Sequence, residues 1–250
     1  MGGRPSGRND QRVVVWVIVA VALVAILVRT HHVSTYTALI FAALIPSVIL
    51  HEVSHGALAY AFGDDTAKRA GRLTLNPIPH IDPFGTIILP AIMALTGVGL
   101  FGWARPVPVT VSRLRHPRNE AVLVSLVGPA VNIALAVVFA LAFRYGVPAT
   151  EKLAAAPGGL FDPNALPAGA EFLFVAGYIN VILAAFNLIP LPPLDGSSVI
   201  ERLLPSSVLP GYYRIRPFTM FLPLLLVALD PSLLDHVFQP ALNWWGRLVL

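Results

Sequence analysis

Residues 42–62 read AALIPSVILHEVSHGALAYAF, an apolar stretch that is interrupted by His51, Glu52 and His55. The wider segment from Tyr36 to Phe62 is long enough to cross a bilayer, since a membrane-spanning helix needs about 20 predominantly apolar residues. Ionisable side chains inside such a segment are costly and usually mark a function. The stretch therefore predicts a membrane-spanning helix that carries a functional site.

The polar residues of this stretch form the pattern HEVSH, with two histidines four positions apart. On a helix this spacing places His51 and His55 on one face, about 6 Å apart along the axis, where both can bind one zinc ion. Glu52 lies beside them and can take a proton from zinc-bound water. The competing interpretation, two packed histidines and an unrelated glutamate, would bury three polar side chains in a span with nothing to satisfy them.

The composition of the whole chain indicates a membrane protein. Of its 250 residues 56% are hydrophobic and 12% are charged, and the mean hydropathy is +0.74. These values argue against a soluble enzyme and predict an all-α polytopic membrane protein with about 4 to 6 transmembrane helices. The net charge of +4 comes from few charged residues in a very apolar chain, and it fits the basic loops of a membrane protein better than a nucleic-acid-binding surface. We therefore exclude nucleic-acid binding. The lack of cysteine excludes disulfides, Cys-ligated zinc and a thiol nucleophile.

The apolar segments divide the chain into a cytoplasmic basic tail, Met1 to Arg12, and a single membrane-embedded domain, residues 13–250, that contains the candidate zinc site. Besides Tyr36 to Phe62, the apolar segments are Val13 to Val28, Phe84 to Trp103, Glu120 to Phe143 and Glu171 to Leu188, with one or two further spans expected after Phe218. The first could be a cleaved signal peptide, but no small-residue cleavage site follows it. We interpret it as a retained span.

The charges of the loops predict the orientation in the cell membrane. Arginines in the tail place the N-terminus in the cytoplasm. If Phe84 to Trp103 crossed the membrane, the arginine-rich loop Arg105 to Arg118 would lie outside, against this rule. We therefore expect Phe84 to Trp103, which contains Pro90 and several glycines, to be re-entrant or interfacial. Asp195 then reaches the depth of the two histidines, and the site opens to the cytoplasm.

Asp195 is the predicted third zinc ligand. Zinc in a hydrolase usually has three protein ligands and leaves one position for water. Few other acids approach a span from the correct side, the proline-rich run before Asp195 ends the helix, and Gly196 lets the backbone turn. An ordinary Asp-Gly turn without a metal is the alternative.

The motifs resemble those of the site-2 protease family (peptidase M50) of intramembrane metalloproteases. The resemblance rests on HEVSH, on NLIPLPPLDG at residues 187–196, on the stretch from Gly71 to Pro90 and on GPAVN at residues 128–132. Together they cover roughly Leu50 to Val199. No stretch between the spans fits a PDZ domain, so the chain looks like a compact form of the family.

The resemblance implies roles for five residues. His51, His55 and Asp195 would bind one Zn²⁺ per chain, Glu52 would be the general base, and Asn187 would hold the substrate or the oxyanion. A buried carboxamide can donate a hydrogen bond to a developing oxyanion, although a structural hydrogen bond between helices is the alternative for Asn187. We interpret Asn132 as a packing residue and His80 as a solvated loop histidine.

The implied function is intramembrane proteolysis, with a transmembrane protein as substrate and the lipid bilayer as surroundings. A membrane-anchored regulatory protein is a further candidate partner, and the sequence leaves the oligomeric state open. Arg72 to Leu75 and Val107 to Val111 resemble short β-strands near the active site that can hold an extended substrate by edge pairing. The alternatives are a membrane zinc carrier and a catalytically silent zinc-binding scaffold. A membrane-anchored peptidase for soluble substrates would need the motif on an aqueous domain.

Overall fold

The computed structural model describes residues 34–82, 104–154, 162, 165–205, 207–219 and 232–249. Its α-helices are α1 (Thr35–Ala61), α2 (Thr66–Arg69), α3 (Pro117–Gly146), α4 (Ala149–Ala154), α5 (Ala168–Asn187), α6 (Ser197–Leu203), α7 (Leu209–Thr219) and α8 (Ser232–Val249). The predicted basic tail, the span Val13 to Val28 and the re-entrant segment Phe84 to Trp103 lie outside the described residues.

Helices α1, α3 and α5 are long and apolar enough to cross a membrane, with 27, 30 and 20 residues. At 1.5 Å per residue even α5 is about 30 Å long, the thickness of the hydrocarbon core. The three helices correspond to the predicted spans Tyr36 to Phe62, Glu120 to Phe143 and Glu171 to Leu188. The prediction of a mostly helical chain is thus confirmed for the described residues, which contain three candidate membrane spans, while the total number of spans stays a prediction.

The three long helices pack against one another in all three pairs. Their buried positions are rich in small residues, which allow helix backbones to approach closely where lipid supplies no hydrophobic driving force between helices. These small buried residues are Ala43, Gly56 and Ala59 in α1, Gly128, Ala136 and Ala140 in α3, and Ala170, Ala176, Gly177 and Ala184 in α5.

Helix α8 is attached to this bundle through Trp245. The indole Nε1 donates a hydrogen bond to the carbonyl oxygen of Ala136, at 3.0 Å. Gly177 leaves room for the ring, because a Cβ there would lie 2.5 Å from Cζ2 of Trp245. The other side of α8 is exposed and carries Gln239 and Asn243.

The connection between α1 and α3 contains no strand among its described residues, so the structure does not contain the predicted strands. Arg72 to Leu75 turns instead, because the amide of Arg72 donates to the Ala67 carbonyl and the Thr74 carbonyl accepts from the side chain of His80. From Val107 to Val111 the backbone binds side chains of α1 and of the residues after it. Local and side-chain hydrogen bonds thus replace a strand ladder.

Candidate metal centre

His51 and His55 are buried one helical turn apart on α1. Their Nε2 atoms are 3.1 Å from each other, and the two rings are nearly perpendicular, at 86°. This is the arrangement that the four-residue spacing predicts. Each ring presents Nε2 to the same small volume.

Asp195 reaches this volume from the loop that follows α5. The amide of Gly196 donates to the carbonyl oxygen of Asn187 at 2.7 Å, so the loop folds back on the last turn of the helix. A Cβ at Gly196 would lie only 2.3 Å from the Leu188 carbonyl oxygen, so glycine is required for this close return. The Oδ2 atom of Asp195 lies 3.1 Å from Nε2 of His51 and 3.4 Å from Nε2 of His55.

The second nitrogen of each histidine is bound to an acceptor outside this volume. Nδ1 of His55 lies 2.6 Å from the carbonyl oxygen of Val124, which can only accept, so this nitrogen carries the proton. Nδ1 of His51 lies 2.6 Å from Oδ1 of Asn132. With a proton on each Nδ1, each Nε2 presents a lone pair, which is the form in which a histidine binds zinc.

Three lone-pair donors therefore face one another without a proton between them. Asp195 Oδ2 is buried and has no hydrogen-bond partner. In tetrahedral coordination at about 2.0 to 2.1 Å, neighbouring zinc ligands lie about 3.3 Å apart, close to the three observed separations. The donor set therefore fits a zinc ion held by His51, His55 and Asp195.

Gly128 lets α3 approach the histidines. A Cβ at this position would lie 2.5 Å from Nε2 of His55 and 2.6 Å from Cε1 of His51. Real Cβ atoms essentially never come closer than 3.0 Å to such neighbours. The backbone of α3 thus forms one wall of the metal centre, and only glycine fits there.

Glu52 contacts the extended segment that precedes α3. Its Oε2 atom accepts a hydrogen bond from the backbone amide of Val107 at 2.9 Å. Val107 lies between Pro106 and Pro108, which have no amide hydrogen to offer. Gly56 makes room for this segment, because a Cβ there would lie 2.7 Å from Cγ1 of Val107. The carboxylate that could act as base is thus held by a backbone donor.

The same segment is attached to the end of α1 by Asp64, whose side chain is fully buried. The carboxylate accepts hydrogen bonds from the amide of Thr110 at 2.6 Å and from the amide and hydroxyl of Thr66. Burial alone raises the pKa of Asp64, but the hydrogen bonds from Thr66 and Thr110 and the positive charge of Arg113 outweigh it. The pKa of Asp64 therefore lies below its ordinary value.

Comparison with known proteins gives the family. The sequence profile of peptidase family M50 matches residues 39–228, which include all three candidate ligands. The chain belongs to peptidase family M50. The resemblance to site-2 proteases stated above is thereby confirmed, and zinc is the metal of this family of metalloproteases.

Two relatives illustrate the similarity. "Putative zinc metalloprotease YwhC" of Bacillus subtilis (strain 168) is 42% identical over 206 residues, covering 80% of this chain and 84% of that protein. "Putative zinc metalloprotease Rip2" of Mycobacterium tuberculosis (strain ATCC 35801 / TMC 107 / Erdman) is 31% identical over 210 residues, covering 83% and 69%. No solved structure matches this M50 protein.

The structure places Asn187 at the last position of α5, next to the loop that carries Asp195. Its Nδ2 atom donates to the carbonyl oxygen of Leu183 at 2.9 Å, one turn earlier in the same helix. The carboxamide therefore bonds within α5, and the predicted contact of Asn187 with an oxyanion stays a prediction.

Three further residues differ from what the sequence indicates. His80 is buried, with 3% of its surface exposed, so the expectation of a solvated histidine is wrong. It turns inward because its Nε2 bonds to the Thr74 carbonyl. Asn132, expected only to pack, contacts a candidate ligand. Asn180 is fully buried beside it and was not predicted, although a polar residue in an apolar span is itself a sign of function.

Proposed function

We propose that this M50 protein is an intramembrane zinc metalloprotease that hydrolyses peptide bonds in or near the transmembrane segments of membrane proteins. The observation that carries the proposal is the convergence of His51 Nε2, His55 Nε2 and Asp195 Oδ2 within 3.1 to 3.4 Å, with both histidines on one apolar helix and Asp195 in the loop after another. A base, Glu52, follows the first ligand directly in the chain.

In the proposed reaction His51, His55 and Asp195 would hold a zinc ion, which would supply Lewis-acid chemistry by polarising the scissile carbonyl and lowering the pKa of water toward neutrality. Glu52 accepts the proton of the attacking water and delivers it to the leaving amine. The Val107 amide occupies one carboxylate oxygen and fixes the orientation of Glu52, which leaves the other oxygen for the proton. The imidazoles keep their Nδ1 protons throughout, since Val124 and Asn132 hold them.

The substrate in this proposal is a transmembrane helix that unwinds locally. A helix hides its carbonyl groups in internal hydrogen bonds, so the peptide bond becomes accessible only after unwinding. We therefore expect substrates with helix-breaking residues near the cleaved bond. The protein would lie in the cell membrane with its site open to the cytoplasm, and a membrane-anchored regulatory protein is a candidate partner. Arg72 to Leu75 forms a turn and therefore offers no strand for edge pairing with a substrate.

The variant Glu52→Gln tests the proposal with little structural disturbance. Glutamine keeps an oxygen that can accept the Val107 hydrogen bond but cannot take up a proton. We expect wild-type and variant proteins, purified in detergent, to hold one zinc per chain by elemental analysis. Membrane proteomes from cells that contain the wild type should show fragments of transmembrane proteins that are lacking with Glu52→Gln. Identical fragment patterns would contradict the proposed protease.

The variant Asp195→Ala tests the ligand set, because removing one of three ligands should abolish stoichiometric zinc binding. Retention of zinc by Asp195→Ala would exclude this site. A zinc carrier makes a different prediction: its zinc flux into vesicles should be little affected by Glu52→Gln. A catalytically silent scaffold would keep zinc in the wild type and in Glu52→Gln, and neither protein would cleave a substrate.

A further inference from the structure

A chain of buried polar side chains leads away from His51 through the three spanning helices. Its members are Asn132 in α3, Asn180 in α5 and Ser47 in α1, with 0%, 0% and 3% of their surfaces exposed. Successive side chains are joined by hydrogen bonds of 2.6 to 2.8 Å. Buried polar groups in an apolar bundle are costly unless each has a hydrogen-bond partner. A continuous chain of four such side chains therefore calls for an explanation.

The donor and the acceptor of each hydrogen bond in this chain can be assigned by starting from Ser47, the member farthest from His51. Ser47 donates its hydroxyl hydrogen to the carbonyl oxygen of Ala43 at 2.7 Å, so its Oγ is an acceptor for Asn180 Nδ2 at 2.8 Å. Nδ2 of Asn180 also donates to the carbonyl oxygen of Ala176, at 2.8 Å. Because backbone carbonyls only accept, these two contacts leave Oδ1 of Asn180 as the acceptor that faces α3.

The remaining links transmit this direction to the metal centre. Asn132 Nδ2 donates to Asn180 Oδ1 at 2.8 Å, so Asn132 Oδ1 must face His51. An oxygen there accepts the Nδ1 proton of the imidazole, whereas the amide nitrogen would repel it. The orientation of the Asn132 carboxamide thus decides which ring nitrogen of His51 carries the proton and which one can bind a metal.

We propose that Asn132, Asn180 and Ser47 are positioning residues that keep the proton of His51 on Nδ1 and so keep Nε2 available to the metal. The inference rests on the proposed function, since it assigns a purpose to a metal ligand. Asn180 and Ser47 act without touching the metal centre. His55 needs no such chain, because the backbone carbonyl of Val124 fixes its proton directly.

The test measures zinc affinity by chelator competition on the purified full-length protein, with thermal unfolding measured in parallel. Leucine at position 180 has a similar size but offers no acceptor to Asn132. We expect Asn180→Leu and Asn132→Leu to bind zinc about 10 to 100 times more weakly than the wild type, the usual effect of losing an outer partner of a metal ligand. Ser47→Ala should have a smaller effect in the same direction.

Two further variants separate positioning from packing. Asn180→Asp keeps a side-chain oxygen that can accept the hydrogen bond from Asn132 Nδ2, so it should restore zinc affinity to within about threefold of the wild type. Trp245→Phe removes another buried hydrogen bond between helices, the one to Ala136, and should lower the unfolding temperature without changing zinc affinity.

The outcomes distinguish this inference from the proposed function. If the wild type binds zinc and Asn180→Leu binds it equally well, the polar chain only packs the helices and the inference is overturned. Equal weakening in Asn180→Asp and Asn180→Leu, or weakening in Trp245→Phe, would also overturn it. If the wild type holds no stoichiometric zinc, the proposed function fails as well.

Discussion

Replacing Gly128 by alanine would place a methyl group against both histidines of the metal centre. The new Cβ would lie 2.5 Å from Nε2 of His55 and 2.6 Å from Cε1 of His51, whereas ordinary contact begins at 3.4 Å. One side must therefore move by about 0.9 Å, and a metal site tolerates only about 0.2 Å. Neither ring can rotate away freely, because Val124 and Asn132 hold their Nδ1 atoms.

The expected result is a loss of zinc binding that exceeds the loss of stability. Alanine favours a helix over glycine by about 1 kcal/mol, and overpacking costs about 1 to 3 kcal/mol, so the net change in unfolding free energy should be small. Zinc affinity should fall by at least about 100-fold, because two ligands are displaced at once. Chelator competition and elemental analysis of the purified protein measure this loss.

Gly146 provides a matched control in the same helix. A Cβ there would meet nothing within 4 Å, so Gly146→Ala should bind zinc like the wild type and be equally or slightly more stable. Wild-type zinc affinity in Gly128→Ala would mean that α3 does not approach the histidines as described, and the geometry of the whole centre would have to be revised.

Three other substitutions test the surroundings of the site. Gly56→Ala would place a Cβ 2.7 Å from Val107 Cγ1 and should push the Val107 amide away from Glu52, so we expect slower cleavage with zinc content retained; unchanged turnover of a substrate would argue against a positioning role for this amide. Gly196→Ala places a methyl group 2.3 Å from a backbone oxygen and should lower both zinc occupancy and the unfolding temperature, which elemental analysis and thermal unfolding would show. Asp64→Asn should reduce the unfolding free energy at neutral pH by up to about 1.5 to 3 kcal/mol. Because the folded-state pKa of Asp64 is lowered, this contribution is complete above about pH 3.9 and is lost as the pH falls through that lower pKa; a stability difference that persisted in stronger acid would contradict the assignment.

Local spacing was sufficient to predict the histidine pair, since a helix repeats every 3.6 residues and His51 and His55 need no other information to share a face. Asp195 required more: the breaks in the chain and the loop charges placed it at the same depth, and the structure brings it within 3.4 Å of both rings. The alternation of polar and apolar residues from Arg72 to Leu75 led to a wrong prediction of a strand. A strand needs a partner strand, and this segment forms local hydrogen bonds instead.

The hydrogen bonds that hold the histidines from outside the candidate metal centre were harder to predict, because they join residues far apart in the sequence. Asn132 and Asn180 are polar residues within mostly apolar helices, and nothing in the local pattern shows that they face each other. Both nevertheless violate the rule that a span avoids polar side chains, and such violations point to function even when the partner is unknown.

Asn132 and Asn180 also explain why the metal centre is built from three helices rather than one. The Nδ1 atom of each histidine on α1 is bound by an acceptor from another helix. Helix α3 supplies both acceptors, a backbone oxygen for His55 and the Asn132 carboxamide for His51. Because a carboxamide can face either way, its orientation needs a further anchor, and Asn180 on α5 supplies it. The loop after the same α5 carries Asp195, so one helix both completes the ligand set and orients a ligand of another.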